Sequence, residues 1–245
     1  MLITGFLALV LTLMIGTTLY LTNRQRETYK AFLLFSCVLS LWIACVLAAI
    51  TAGVNGGDNY ITNVIFWLRA NTAVSSLAPG ALLLIVLCII NNPYYKILSK
   101  TSFFILLICL AISTTALRDD FLEPDQISPL TRGNSYYLHA GLTGVFYTVI
   151  GVITWRSIGS YTGLKRLELQ YIAIACGATA IAVTLLNTLG NLTGLRVLNR
   201  SSILVIVVGY LFMGWALAHH RIFNARQVLA NVAHRGGVLI CLVLS

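Results

Sequence analysis

The chain has 245 residues, of which 58% are hydrophobic and only 9% charged. A soluble domain carries about a quarter of its residues as Asp, Glu, Lys and Arg, so this sequence cannot cover a globular surface and requires lipid as its solvent. The net charge of +9 is the Lys and Arg excess that gathers in cytoplasmic loops of membrane proteins, and no nucleic-acid partner is expected.

Seven apolar runs are long enough to cross about 30 Å of hydrocarbon: 2–22, 31–53, 60–91, 101–117, 138–156, 168–190 and 201–218. The expected fold is all-α, a polytopic bundle of seven transmembrane helices in one domain over residues 1–221. The first run has no basic residue before Arg24 and no A-x-A-like cleavage site, so it reads as a retained helix rather than a signal peptide. Cys37, Cys45, Cys88, Cys109, Cys176 and Cys241 all lie in apolar stretches without a CxxC pair. They read as small buried hydrophobes, and neither a disulfide framework nor a metal site is expected.

The loops orient the bundle. With the N-terminus outside, the inner segments carry Arg24, Arg26, Lys30, Lys96, Lys100, Arg156, Lys165, Arg166, Arg221, Arg226 and Arg235. The outer loops carry Arg118, Arg132, Arg196 and Arg200, together with the acids Asp58, Asp119, Asp120, Glu123 and Asp125. Such a bias over short loops places the N-terminus outside and the C-terminus inside.

The third run is longer than a bilayer requires, and Pro79-Gly80 falls near its middle. Proline removes a backbone hydrogen bond and bends a helix, so Pro79 and Gly80 form either a hinge or a fixed bend. Arg69 is the one charged residue clearly inside a run. An intramembrane charge is costly and marks a functional site by default, although an arginine in the outer half can also snorkel to the headgroups. Thr62, Thr72 and Ser76 share its helical face. With Asn187 and Asn191 of the sixth run and His139 and Tyr147 of the fifth, they are expected to line an outward-facing pocket. Arg69, Thr72, Ser76 and Asn187 are the candidate ligand residues, and an anionic small molecule is the expected ligand. The loop 118–137, with four acids and two prolines before Tyr136-Tyr137, reads as a solvated connection without EF-hand spacing.

Several chemistries lack their residues. The seventh run has no lysine for a retinal Schiff base, and no run interior holds an Asp or Glu for ion pumping. No HExxH, GxSxG or P-loop pattern occurs. No catalytic residue, cofactor or metal is assigned, and the chain itself is not expected to be an enzyme.

After the seventh run comes His219-His220-Arg221-Ile222-Phe223-Asn224-Ala225-Arg226-Gln227-Val228-Leu229. It resembles the aromatic-Arg-x-Phe-Asp-x-Arg-x-Val pattern that closes the seven-helix N-terminal sensor region of bacterial histidine kinases, a region also found before diguanylate cyclases. Trp67-Leu68-Arg69 with the later Pro79, Trp42, and Phe32 and Phe35 after the Arg24/Arg26 loop resemble the same family. The likeness covers about residues 1–230. His219-His220 stands where the family often has Tyr, and Asn224 where it often has Asp. The resemblance implies a sensor of a two-component or related signalling system in the bacterial inner membrane. Its implied partners are the lipid bilayer, a small ligand, a downstream kinase or cyclase domain and a second copy in a homodimer. Residues 222–235 are expected to form a transmission or amphipathic helix in which Arg221, Phe223, Arg226 and Leu229 carry the signal. Residues 236–245 would begin an eighth span or an output domain. The alternative from a different class is a small-molecule transporter or permease subunit, for which glycine-broken helices at matching places in two halves would be the signature.

Overall fold

Inside hydrocarbon every backbone N–H and C=O has to be paired within its own segment, and the apolar runs accordingly fold as helices. The structure, a computed structural model, describes residues 2–55, 60–90, 97–127, 130–193 and 196–219. In chain order the elements are α1 (Leu2–Thr22), α2 (Glu27–Asn55), α3 (Tyr60–Ser75), α4 (Leu77–Ile90), α5 (Ile97–Ala116), a 3₁₀ turn (Asp119–Phe121), β1 (Leu122–Ile127), β2 (Leu130–Arg132), α6 (Asn134–Ser160), α7 (Gly163–Thr193) and α8 (Arg196–His219). Among the described residues six helices are long and apolar enough to cross a membrane, with α3 and α4 together forming the third. The run expected over 101–117 lies in α5, whose described apolar part is Ser102–Ala116, a rise of about 22 Å at 1.5 Å per residue. The chain is thus a multi-pass helical membrane protein.

α4 is the axis of the bundle. Ten of its residues are buried, running from Pro79 to Ile89 with only Leu87 partly open. A helix apolar all round belongs in an interior, and α2, α5, α6 and α7 all pack on this one. α1 joins α2 through small residues on one face: Gly5, Ala8, Thr12 and Gly16 are all buried. A side chain at Gly5 would meet Leu47, and one at Gly16 would meet Ser36. Small residues at this spacing let two backbones approach closely in lipid.

The third crossing breaks at Ser76, three residues before Pro79. Pro79 has no N–H for the Ser75 carbonyl, and it is tolerated in the first turn of a new helix. The Ser76 amide still bonds the Thr72 carbonyl at 3.2 Å, so the break is a local discontinuity in one crossing. Gly80 has a packing role: a side chain there would meet Cys109 and Ile105 of α5.

The outer segment is not the solvated loop expected over 118–137. β1 and β2 pair antiparallel, Leu122 opposite Arg132 and Ile127 opposite Leu130, with an irregular register between. Phe121 and Leu122 are buried with Ile65 and Ala116 in a small second core. α6 then starts at Asn134, inside the stretch expected to be loop. Of its residues only Ser135, His139, Ile150 and Thr154 are buried, while Val145, Val149, Val152 and Trp155 are exposed on its outer surface.

Candidate functional site

Arg69 rises from α3 into the base of the hairpin. Its Nη1 donates to Asp119 Oδ1 at 3.0 Å, and its Nη2 donates to the carbonyls of Asp119 and Leu122, the latter at 2.9 Å. The Arg69 side chain is 16% exposed, whereas that of Asp119 is fully exposed. A carboxylate for Arg69 therefore comes from the segment after α5, fifty positions later, and the anion beside Arg69 is the chain's own. Phe121 plugs the space below, its ring 5.4 Å from Tyr136 and 5.7 Å from His139. Gly133 closes the hairpin: its amide bonds the Phe121 carbonyl at 3.4 Å, and a side chain there would meet the Asp120 carbonyl. Ser135 donates to Asp120 at 2.6 Å, and this bond chiefly holds the Asp120 carboxyl below its usual range. What it contributes is therefore present above that range and lost as the pH falls through the lowered value.

Beneath the plug the helix break meets α6. Thr72 donates to the Leu68 carbonyl, and the Thr72 carbonyl accepts from Ser75 Oγ at 2.7 Å and Ser76 Oγ at 3.1 Å. Ser76 Oγ also lies 3.5 Å from His139 Nε2. His139 Nδ1 faces Thr115 Oγ1 at 3.1 Å and the Ile112 carbonyl at 3.3 Å. Arg69, Thr72 and Ser76 thus lie along one line under the hairpin, as their spacing implied, but their polar atoms are turned to backbone, Asp119 and His139. Asn187 is in α7 with its side chain outside the described residues, as is that of Asn191.

The open volume lies deeper. A half-open cavity of about 550 Å³ is bounded by α2, α3, α4, α6, α7 and α8. Its walls include Phe35, Trp42, Ser75, Leu82, Tyr147, Cys176, Thr179, Tyr210 and Met213. A second cavity of about 260 Å³ between α4, α6 and α7 shares Leu82, Tyr147 and Cys176 with it. Among the described residues no charged side chain or histidine lines either space. Of the residues expected from sequence to line a pocket, Tyr147 is the one that lines them among the described residues.

The wall formed by Tyr210 leads into a polar seam between α1, α2 and α8. Tyr210 Oη donates to the Thr12 carbonyl at 2.8 Å and lies 2.7 Å from Ser36 Oγ, while Thr12 Oγ1 lies 2.8 Å from Ser40 Oγ. Near the opposite end of α2, Arg26 and Glu168 are buried together, with Arg26 Nη2 3.7 Å from Glu168 Oε1. The Arg26 guanidinium also lies over the Tyr29 ring at 4.8 Å, and Lys165 Nζ donates to the Ile90 carbonyl at 3.2 Å. Arg26 sits in the turn just before α2, as its place among the inner-segment basic residues implied, whereas Glu168 lies inside α7, which begins at Gly163. The transmission residues Arg221, Phe223, Arg226 and Leu229, and residues 222–245 as a whole, lie outside the described residues.

Comparison of the chain with family models and with curated proteins finds no match.

Proposed function

We propose that the chain is a membrane sensory domain that converts occupancy of its central cavity into movement of α8, and so into a signal at a cytoplasmic kinase or cyclase domain. One observation carries this reading: the cavity is walled on one side by the broken third crossing, at Ser75, Ala78 and Leu82, and on the other by α8, at Ile206, Gly209, Tyr210 and Met213. A molecule in that space touches both the discontinuous helix and the helix that leads to the tail. It shifts the bundle only as far as it prefers one arrangement over another. In this reading α5 completes a seventh crossing, the N-terminus is outside and the C-terminus inside, and the membrane is the bacterial inner membrane. The basic residues of the inner segments support that orientation. The chain performs no reaction of its own and acts through its partner domain.

Reporter fusions after residues 57, 128 and 195 are expected to read outside, and those after 27, 97, 162 and 228 inside. An inside reading at 128 would overturn the orientation. For the sensory role, spin labels at Leu41 of α2 and Val208 of α8, both exposed, should give two distance populations whose ratio changes with the composition of the surrounding membrane. One invariant distance in every membrane tested would refute it.

A further inference from the structure

We infer that the central cavity is a binding site for an uncharged acyl chain carrying a carbonyl group, with the Tyr147 hydroxyl donating to that carbonyl. This deepens the sensory reading by naming the ligand class.

The size fits a small-molecule site. Ligand pockets run from about 300 to 1,000 Å³, with mostly apolar walls and few polar groups, and this one is about 550 Å³. Its chemistry excludes an ion, since no cationic or anionic side chain lines it among the described residues and Arg69 is engaged with Asp119 and the Leu122 carbonyl. An apolar ligand gains by leaving water or disordered lipid for a wall of Phe35, Trp42, Leu82 and Met213.

The polar groups narrow the class further. Ser75 Oγ donates to the Thr72 carbonyl and Thr184 Oγ1 to the Ala180 carbonyl, so both hydroxyl protons are used within their own helices. Tyr147 and Thr179 make no hydrogen bond among the described residues, and Tyr147, 45% exposed, is the one that lines both cavities. A phenol left without an acceptor in a non-aqueous space is costly, and a carbonyl oxygen on the ligand satisfies it. Because the two cavities share Tyr147, Leu82 and Cys176, a chain anchored at Tyr147 has apolar space on both sides. That geometry suits a linear molecule held by a polar group partway along it. The exposed surface of Trp155 and the open space around Gly151 and Gly177 place a lateral way in from the bilayer between α6 and α7.

The same chemistry has two sources, an acyl ester of a bilayer phospholipid or a free lipophile, and tryptophan quenching separates them. Trp42 lines the cavity. The full chain with Trp67→Phe, Trp155→Phe and Trp215→Phe, in nanodiscs, leaves it as the sole reporter. Methyl 9,10-dibromostearate is added in one series. In the other, the host lipid is a phosphatidylcholine brominated in its chains. Quenching should saturate in the series that supplies the occupant. Tyr147→Phe should weaken it by about tenfold, the loss of one hydrogen bond. Ala180→Phe, which projects a ring into the cavity, should abolish it. Tyr147→Phe alters one hydroxyl and keeps the test valid if the larger change unfolds the chain. Quenching that is unsaturable and indifferent to both substitutions in both series would overturn the site. Saturable quenching with no change in the Leu41–Val208 distance would keep the site and remove the sensory reading.

Discussion

Replacing Glu168 with alanine is expected to destabilise the folded chain by about 3–5 kcal/mol, the cost of leaving one member of a buried ion pair uncompensated. Glu168 is fully buried and Arg26 is 7% exposed. Their approach of 3.7 Å is long for a hydrogen bond, and Arg26 Nε and Nη2 have no hydrogen-bond partner among the described residues. Beyond the carboxylate, the guanidinium has the Tyr29 ring and one bond from Nη1 to the Tyr29 hydroxyl at 3.4 Å, neither of which neutralises its charge. The reverse expectation holds for removing both charges. Arg26→Met with Glu168→Leu should recover most of the loss, because well-packed apolar residues often replace a buried pair at no cost. Thermal or denaturant unfolding of the three variants in one detergent decides the matter. A Glu168→Ala protein as stable as the parent would show that the pair contributes nothing. A double variant no better than the single would place the loss in packing instead.

The second large effect is at the opposite face. Arg69→Met should raise hydrogen exchange at the β1 and β2 amides by on the order of 100-fold, whereas Asp119→Asn should change it less than about fivefold. The asymmetry follows from where the bonds go. Asp119 is fully exposed, and an exposed ion pair contributes about 0–1 kcal/mol. The bonds from Arg69 Nη2 to the Asp119 and Leu122 carbonyls are charge-assisted, and bonds of that kind contribute about 1.5–3 kcal/mol. Arg69→Lys should behave much like the methionine variant, since an ammonium is a single point and cannot span a carboxylate and two carbonyls as the planar fork does. Equal effects from Arg69→Met and Asp119→Asn would mean that the ion pair, not the carbonyl clasp, fastens the hairpin.

The helices were readable because burial in lipid leaves the backbone no other solution, and the apolar runs mark them within a few residues. The break in the third crossing was also readable, because Pro79 removes a specific hydrogen bond. The hairpin was not. Glu123, Pro124, Asp125 and Pro129 are turn and loop residues by composition, and what organises the described strands is tertiary: Phe121 buried under Tyr136, and Arg69 reaching the backbone fifty positions later. Phe121-Leu122, two apolar residues inside an acidic stretch, were the available signal. Arg69 was recognisable as unusual, yet its partner was not, since periodicity reports faces and not pairings across a fold. The same holds for Arg26 and Glu168, whose pairing across the fold no periodicity reports. Tyr147 was expected to line a pocket beside Arg69, and periodicity did not show that it lines the cavities between α2, α4, α6, α7 and α8 instead.

The seam at Tyr210 has a consequence for biogenesis. α1 and α2 can pair as soon as both have left the ribosome, since Thr12 and Ser40 meet across them and their glycines need no later partner. The Thr12 carbonyl and the Ser36 hydroxyl, however, take their tyrosine from a helix synthesised nearly two hundred residues later. Until α8 is inserted, the first helical hairpin carries an open groove along its length. α8 is then the clasp that closes this seam. A nascent chain stalled before it would display to the membrane's quality-control machinery a face that the finished protein never shows.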